Sequence, residues 1–319
     1  MAGNTNFDAI ASTTLKNYRD QLTDNIFLKT PLFFWLYSKG RKRTISGGEK
    51  IVVQLMYDTN STIAAYSKYG TLDTTPQEGI TAAEYTWRQY AGTINISGLE
   101  ERQNNSKERI INLLEAKVMQ TEKSMKRTLD TDALGTGGDS STVLNGLQQL
   151  IDISPTTDTV GGINRATAGN EFWRNNSTTS VGSFAANGLD NMRTMYNDCS
   201  IEGSDNPNFI ITTQSIYEYY EDTLQPQQRI GSTEVLDGGF MNLLWKKTPI
   251  VWDENCTAGY MYFLNSDYLE IAVHPDADMK IEDFQKPINQ DAKSAKILWQ
   301  GNLTMSRAAS LGVLSGITA

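Results

Sequence analysis

The order of segments across the first 135 residues limits the fold more than any single motif does. A charged arm studded with apolar residues leads into two alternating strands, Glu49–Tyr57 and Glu84–Gly98, and one long amphipathic helix comes next. The stretch between the strands, Asp58–Ala83, is too polar to build a core. An isolated two-stranded ribbon is marginally stable at best in water. A chain that keeps such a ribbon is expected to lay it on a neighbouring subunit, which favours assembly over catalysis.

Within the arm, Leu15, Tyr18, Leu22 and Ile26 recur at helical spacing, and Pro31 is expected to end that helix because its ring removes a donor and crowds the preceding turn. The apolar run Leu32–Tyr37 must be buried somewhere. In the first strand Ile51, Val53, Leu55 and Tyr57 share a face; in the second, Tyr85, Trp87 and Gln89 oppose Thr86, Arg88 and Tyr90, and Ile94 and Ile96 continue it. Tyr66, Tyr69 and Leu72 sit on the connecting tip. Exposed aromatics there either form an interface, where each buries a large area at low entropic cost, or fold back on their own chain.

Asn105 with Glu108 marks a helix start, and Ile111, Leu114, Val118, Met125 and Leu129 then recur every three to four residues. The helix is expected over roughly 106–134, about 40 Å at 1.5 Å per residue, until Gly135 and Gly137-Gly138 close it. Residues 145–262 read as an α/β lobe. It has helices at Asn187–Cys199 and Gln214–Leu224 and strands at Phe209–Thr213, Ile250–Trp252 and Tyr260–Leu264. The tail returns to extended structure at Met279–Phe284 and Lys296–Arg307.

The chain is 39% hydrophobic and 20% charged, which describes a folded protein, and its net charge of −9 lacks the basic footprint of a nucleic-acid reader. A local basic cluster, Lys39, Arg41, Lys42 and Arg43, is either a solvated turn or a salt-sensitive contact with an acidic neighbour or packaged nucleic acid. Cys199 and Cys256 offer neither metal spacing nor a disulfide framework and read as reduced thiols near a core. The longest apolar run is far too short to span a bilayer, and no secretory h-region is seen, so a cytosolic setting is expected.

A single histidine, His274, restricts catalysis. It comes after a strand, with Asp276 and Asp278 close behind, and no Gly-x-Ser-x-Gly elbow accompanies it. Asp276 and Asp278 alone make a weak cation signal. The run Gly135–Ser141 lacks the Gly-Lys-Ser/Thr ending of a phosphate loop and lies after a helix, so it reads as a terminus and hinge. Glu100 and Glu101 diverge in direction and read as electrostatic stabilisers of a helix start. No catalytic, cofactor or metal site is expected.

Several stretches together resemble the HK97-fold major capsid proteins of tailed double-stranded DNA bacteriophages. They are Ile94-Asn95-Ile96-Ser97-Gly98 before the long helix, Gly161-Gly162-Ile163-Asn164-Arg165 with Phe172-Trp173 after it, Phe209–Gln214, Thr248–Asp253 and Gly259–Asn265. Their order and spacing carry the resemblance. It implies an α+β fold with an N-arm (1–44), an E-loop hairpin (45–98) and a P-domain (99–144 and 263–319, with the spine helix about 106–134), together with an α/β A-domain (145–262). It also implies a structural, non-enzymatic head protein that self-assembles in the bacterial host cytoplasm into an icosahedral virion shell of hexamers and pentamers around double-stranded DNA. The implied partners are further copies of the chain, a separate scaffolding protein, the portal protein and, non-specifically, the packaged DNA, with no membrane. Tyr66, Tyr69, Leu72, Trp87, Arg41, Lys42 and Arg43 are the candidate inter-subunit contacts.

The reading places the arm at Met1, so either the scaffold is a separate protein, which Met1 favours, or the chain is the mature form. An acidic wall also suits a DNA container, because a like-charged polymer is repelled from it. A Lys–Asn cross-link between subunits would need partners such as Lys68 and Asn302, and no motif pins them. The alternatives are an encapsulin-like cargo compartment, a cytosolic α/β hydrolase using His274, and a glycan-binding tail or adhesion component.

Overall fold

The computed structural model describes residues 30–103, 113–200, 205–224, 243–287 and 289–319. The helix expected over Leu15–Leu28, the Asn105/Glu108 cap and the first residues of the long helix lie outside them.

Pro31 opens a helix, α1 (Pro31–Ser38), where its fixed φ and missing N–H suit the first turn. The helix buries Leu32, Phe33, Trp35 and Leu36, and Trp35 stacks on Phe209 at 4.6 Å. The apolar run that had to be buried is therefore a core helix. It leads into a short strand, β1 (Lys42–Thr44), then β2 (Lys50–Met56), β3 (Ile80–Thr86) and β4 (Arg88–Ser97).

The single strand expected over 84–98 is two strands in two different sheets. β2 and β3 form an antiparallel ribbon, whereas β4 pairs along β15 (Ala292–Met305). The inward-facing residues change parity at the break: Ala83 and Tyr85 are buried before it, Arg88, Ile94 and Ile96 after it. One residue out of register sends every later side chain to the other face. That residue is Trp87, whose indole N–H donates to the Gly48 carbonyl at 2.9 Å and whose ring meets His274 edge-on at 6.0 Å. Trp87 is half-buried against its own chain. Trp87→Ala is expected to lower subunit stability by about 1–2 kcal/mol, the loss of one partly buried ring and one hydrogen bond. A denaturant titration with an unchanged midpoint would show that the indole contributes no packing.

Buried Asn302 occupies the break. Its amide donates to the Thr86 carbonyl (2.9 Å) and to Asn145 Oδ1 (3.1 Å), while its oxygen accepts from the Asn145 and Leu303 amides. The side chain is fully buried, so it cannot meet Lys68 of the loop tip, and that cross-link pairing is withdrawn.

A short helix, α2 (Gly98–Gln103), begins with a reciprocal capping box: Ser97 Oγ accepts from the Glu100 amide, and Glu100 Oε2 accepts from the Ser97 amide. Glu100 is held below the usual carboxylate range by that backbone bond and by Lys117. The long helix is described as α3 (Leu113–Ala133), burying Met125, Leu129 and Ala133. The glycines after it are packed tightly. A Cβ on Gly137 would drive into the Leu144 carbonyl and one on Gly146 into that of Gly135, so the run is a close backbone crossing.

Beyond it lie two small strands, β5 (Thr159–Val160) and β6 (Ile163–Asn164), then β7 (Asn176–Thr178) and β8 (Gly182–Ser183). The lobe continues with α4 (Leu189–Asp198), β9 (Phe209–Thr212), α5 (Gln214–Leu224), β10 (Leu243–Trp245), β11 (Thr248–Trp252) and β12 (Met261–Leu264). After β13 (Leu269–Val273) come β14 (Lys280–Ile281), all that is strand in 279–284, then β15, β16 (Gly312–Leu314) and β17 (Ile317–Thr318).

Two larger sheets result. A five-stranded sheet holds β1, β13, β15 and β14, with β4 on the opposite edge of β15. A six-stranded sheet runs β10-β11-β9-β12-β16-β7. β16 thus leaves the tail to enter the second lobe, between β12 and β7. Met192, Met195, Ile216 and Tyr220 from α4 and α5 pack on this sheet with Ile210, Phe263 and Leu314. Both cysteines are buried, and burial pushes the Cys199 thiol up to about 12.

Candidate assembly surface

The β2–β3 ribbon is fastened along its strands and bare at its loop. One face of its paired strands is held, with Ile51, Leu55, Ala83 and Tyr85 buried. The Tyr85 hydroxyl donates to the Met305 carbonyl at 3.0 Å, and the Glu84 amide donates to the Gly161 carbonyl at 2.9 Å. Tyr57 stacks on Phe172 at 4.9 Å. Burial holds the Tyr85 phenol far above its ordinary range, so it stays a neutral donor.

Past Tyr57 the chain has no regular structure until β3 and is shaped by local bonds. Asn60 Oδ1 accepts from the Thr62 amide and hydroxyl, Asp73 Oδ1 does the same for Thr75, and Ser61 donates to Gln77. The bonds from Thr75 hold the Asp73 carboxyl below its usual range. Such turns order a loop without a core. The tip's apolar residues therefore remain in solvent: Tyr69 is 90% exposed, Ile63 83%, Tyr66 69% and Leu72 66%. Met56 and Ile80, where the ribbon ends, are 82% and 74% exposed. The alternative in which this tip folds back on its own chain is not what the structure holds. Large apolar side chains gathered in solvent on one loop are what an interaction surface requires.

The basic cluster is partly neutralised within the chain. Arg41 pairs with Asp267, and Lys42 pairs with Asp278 and lies over the Tyr37 ring. Burial, then Asp278, pushes the Tyr37 phenol up to about 12. Lys39 and Arg43 are exposed. Arg43 lines a cleft of about 420 Å³ beside β2, with Val53, Gln54, Glu270, Thr304 and Ser306. The cluster is neither a simple solvated turn nor four bare charges, because β1 pairs in parallel with β13 and fixes it. The tip residues and Arg43 thus belong to two surfaces, one on the loop and one beside the middle of β2, and Trp87 lies at the junction with the sheet.

His274 follows β13, and its Nδ1 accepts from the Asp276 amide at 3.2 Å, so it caps a turn. Asp278 is engaged by Lys42. Among the described residues no three His, Cys, Asp or Glu side chains are grouped to hold a metal, and no helix is long and apolar enough to cross a membrane.

No family model matches the sequence, and no curated protein matches it. Solved structures do. The cyanophage A-1(L) capsid subunit is 16% identical with a TM-score of 0.67, over 96% of this chain and 97% of that one. The capsid of the native GTA particle is 11% identical with a TM-score of 0.61, over 99% and 100%. The holo-SrpI encapsulin complex of Synechococcus elongatus PCC 7942 is 12% identical with a TM-score of 0.57, over 93% and 92%. Matching at such low identity over nearly the whole of both chains, this chain has the HK97-type fold of capsid subunits.

Proposed function

We propose that the chain is the major capsid protein of a tailed double-stranded DNA bacteriophage, forming the hexamers and pentamers of an icosahedral head. The observation that carries this reading is the ribbon tip, where Ile63, Tyr66, Tyr69 and Leu72 are presented to solvent on a segment anchored only at its base. A subunit that works alone gains nothing from such a surface. A subunit laid beside copies of itself buries it at every contact.

In this reading residues 45–86 are the E-loop, lying across the adjacent subunit. α3 is the described part of the spine helix, and it packs with the five-stranded sheet as the P-domain. The six-stranded sheet with α4 and α5 is the A-domain, and it takes residues 312–318 from the tail. Scaffolding protein, portal protein and packaged DNA are the further partners, with assembly in the host cytoplasm and a final location in the virion.

Negative-stain electron microscopy of the expressed chain, alone and with the products of neighbouring genes, tests the reading. Closed polyhedral shells or free hexamers and pentamers are expected. A dispersed monomer under all those conditions would overturn it. An encapsulin-like compartment is the second reading, favoured by the likeness to the SrpI encapsulin complex. The particle's contents separate the two: nuclease-protected DNA for a phage head, cargo protein for a compartment.

A further inference from the structure

Two carboxyl groups lie buried where α3 meets the six-stranded sheet. Asp130, on the last turn of α3, has no exposed surface, and Asp253, just after β11, is 4% exposed. Asn255 holds both: its side-chain amide donates to Asp130 Oδ2 at 2.9 Å and its backbone amide to Asp253 Oδ1 at 2.8 Å. The remaining oxygens, Asp130 Oδ1 and Asp253 Oδ2, are buried and have no hydrogen-bond partner, so two carboxyl groups tied to one asparagine each carry an unpaired oxygen out of solvent. An ionised carboxylate only accepts, so two of them buried side by side leave both oxygens unpaired, whereas a proton on one supplies the missing donor.

We propose that Asp130 and Asp253 share one proton, and that this proton latches the end of α3 to the loop 253–257, making the contact between helix and sheet sensitive to pH. The groups around the pair agree. Glu254, on the same loop, repels charge on both carboxyls. Arg127, one turn earlier on α3, reaches Glu254 at 3.6 Å instead of the pair. The Cys256 thiol beside Asp253 is itself pushed up, chiefly by burial. Thr131 donates to Asn255 Oδ1 at 3.2 Å, so the loop is tied to the helix by that neutral bond and by this proton, while Gln148, beyond the helix, bonds Thr257. The inference concerns the subunit alone and stands apart from the shell reading.

Burial, then the charge of Asp253, pushes the Asp130 carboxyl up to about 8 from an ordinary 3.8. A carboxyl raised in the folded state contributes its full stability below the unfolded value and loses it as pH rises towards the folded one. Across that window the folded chain holds one more proton than the unfolded chain. The folding constant therefore falls about tenfold per pH unit from this pair, and the loss is complete above about pH 8.

Asp130→Asn supplies a permanent donor in nearly the same shape. Urea denaturation of the full chain between about pH 4 and 8 is expected to give folding constants for variant and wild type whose ratio climbs about tenfold per unit. Amide exchange in 253–257, corrected for its intrinsic pH dependence, should accelerate above about pH 8 in the wild type alone. A ratio that stays flat with pH overturns the proposal. Should Asp130→Asn fail to fold, Asp253→Asn carries the same test with the donor on the other side. Infrared spectra give a reading without mutation: a protonated-carboxyl band at neutral pH supports the shared proton, and its absence refutes it. Added calcium or magnesium that raises the wild-type midpoint at pH 8, and leaves Asp130→Asn unmoved, would place a metal between the carboxyls and refute it as well.

Discussion

Removing residues 60–79 is expected to leave a subunit that denatures at the full-length midpoint and yields no closed particles. The segment contributes nothing to either core, since its large apolar residues are exposed. The ribbon stays anchored through Ile51, Leu55 and Tyr85 and through the stack of Tyr57 on Phe172. Because Met56 already pairs with Ile80, the shortened chain closes as a tight hairpin through Tyr57, Asp58 and Thr59. What is lost is the apolar surface offered to a neighbour. Electron microscopy and denaturation of the same preparation read both halves of the result, and normal particles would sink the assignment of the ribbon as an E-loop.

Asn302→Leu is expected to cost about 3–5 kcal/mol. The replacement is close in volume, so the loss is polar. It strands the buried amide and side-chain oxygen of Asn145, at about 1–3 kcal/mol for each buried group left unpaired, and takes a donor from the Thr86 carbonyl. Asn302 also holds the chain where it passes from ribbon to sheet, so β3 and β4 lose a shared anchor. Urea denaturation of the subunit measures the effect. A loss under about 1 kcal/mol would mean that the two stranded groups find other partners.

Much of the fold is legible in the sequence because single elements declare themselves. The alternation of Ile51, Val53 and Leu55 marks β2, the spacing of Val118, Met125 and Leu129 marks α3, and α5 comes after β9 with no gap beyond Thr213. The features that escape a sequence reading depend on partners distant in the chain. Trp87 reads as one more strand residue until the Gly48 carbonyl and His274 fix it outside both ladders. Pro31 reads as a helix stop, yet it opens α1, and only the burial of Trp35 against Phe209 shows that role. Ser97 with Glu100 is a capping box visible in sequence, but a strand carried through to Gly98 hides it. The pair Asp130 and Asp253 has no sequence signature at all, since two single aspartates become a pair only when α3 meets the sheet. Of the candidate surface, Tyr66, Tyr69 and Leu72 are recognisable as apolar residues in a polar stretch. The engagement of Arg41 and Lys42 by Asp267 and Asp278 is not.

The insertion of β16 between β12 and β7 also bears on when the chain can first be used. Gly312, Val313 and Leu314 are wholly buried there, and β17 then pairs with β8. During synthesis, strands 261–264 and 176–178 must wait with unsatisfied edges until the residues of 312–314, far further along the chain, have been made. Pairings so distant in sequence form late, because the loop-closure entropy precedes the contacts that offset it. The lobe is therefore completed only once residues 312–314 have left the ribosome, and a product truncated before them presents open edges in place of a finished lobe. Closure of the second lobe is in this way tied to synthesis of residues 312–314.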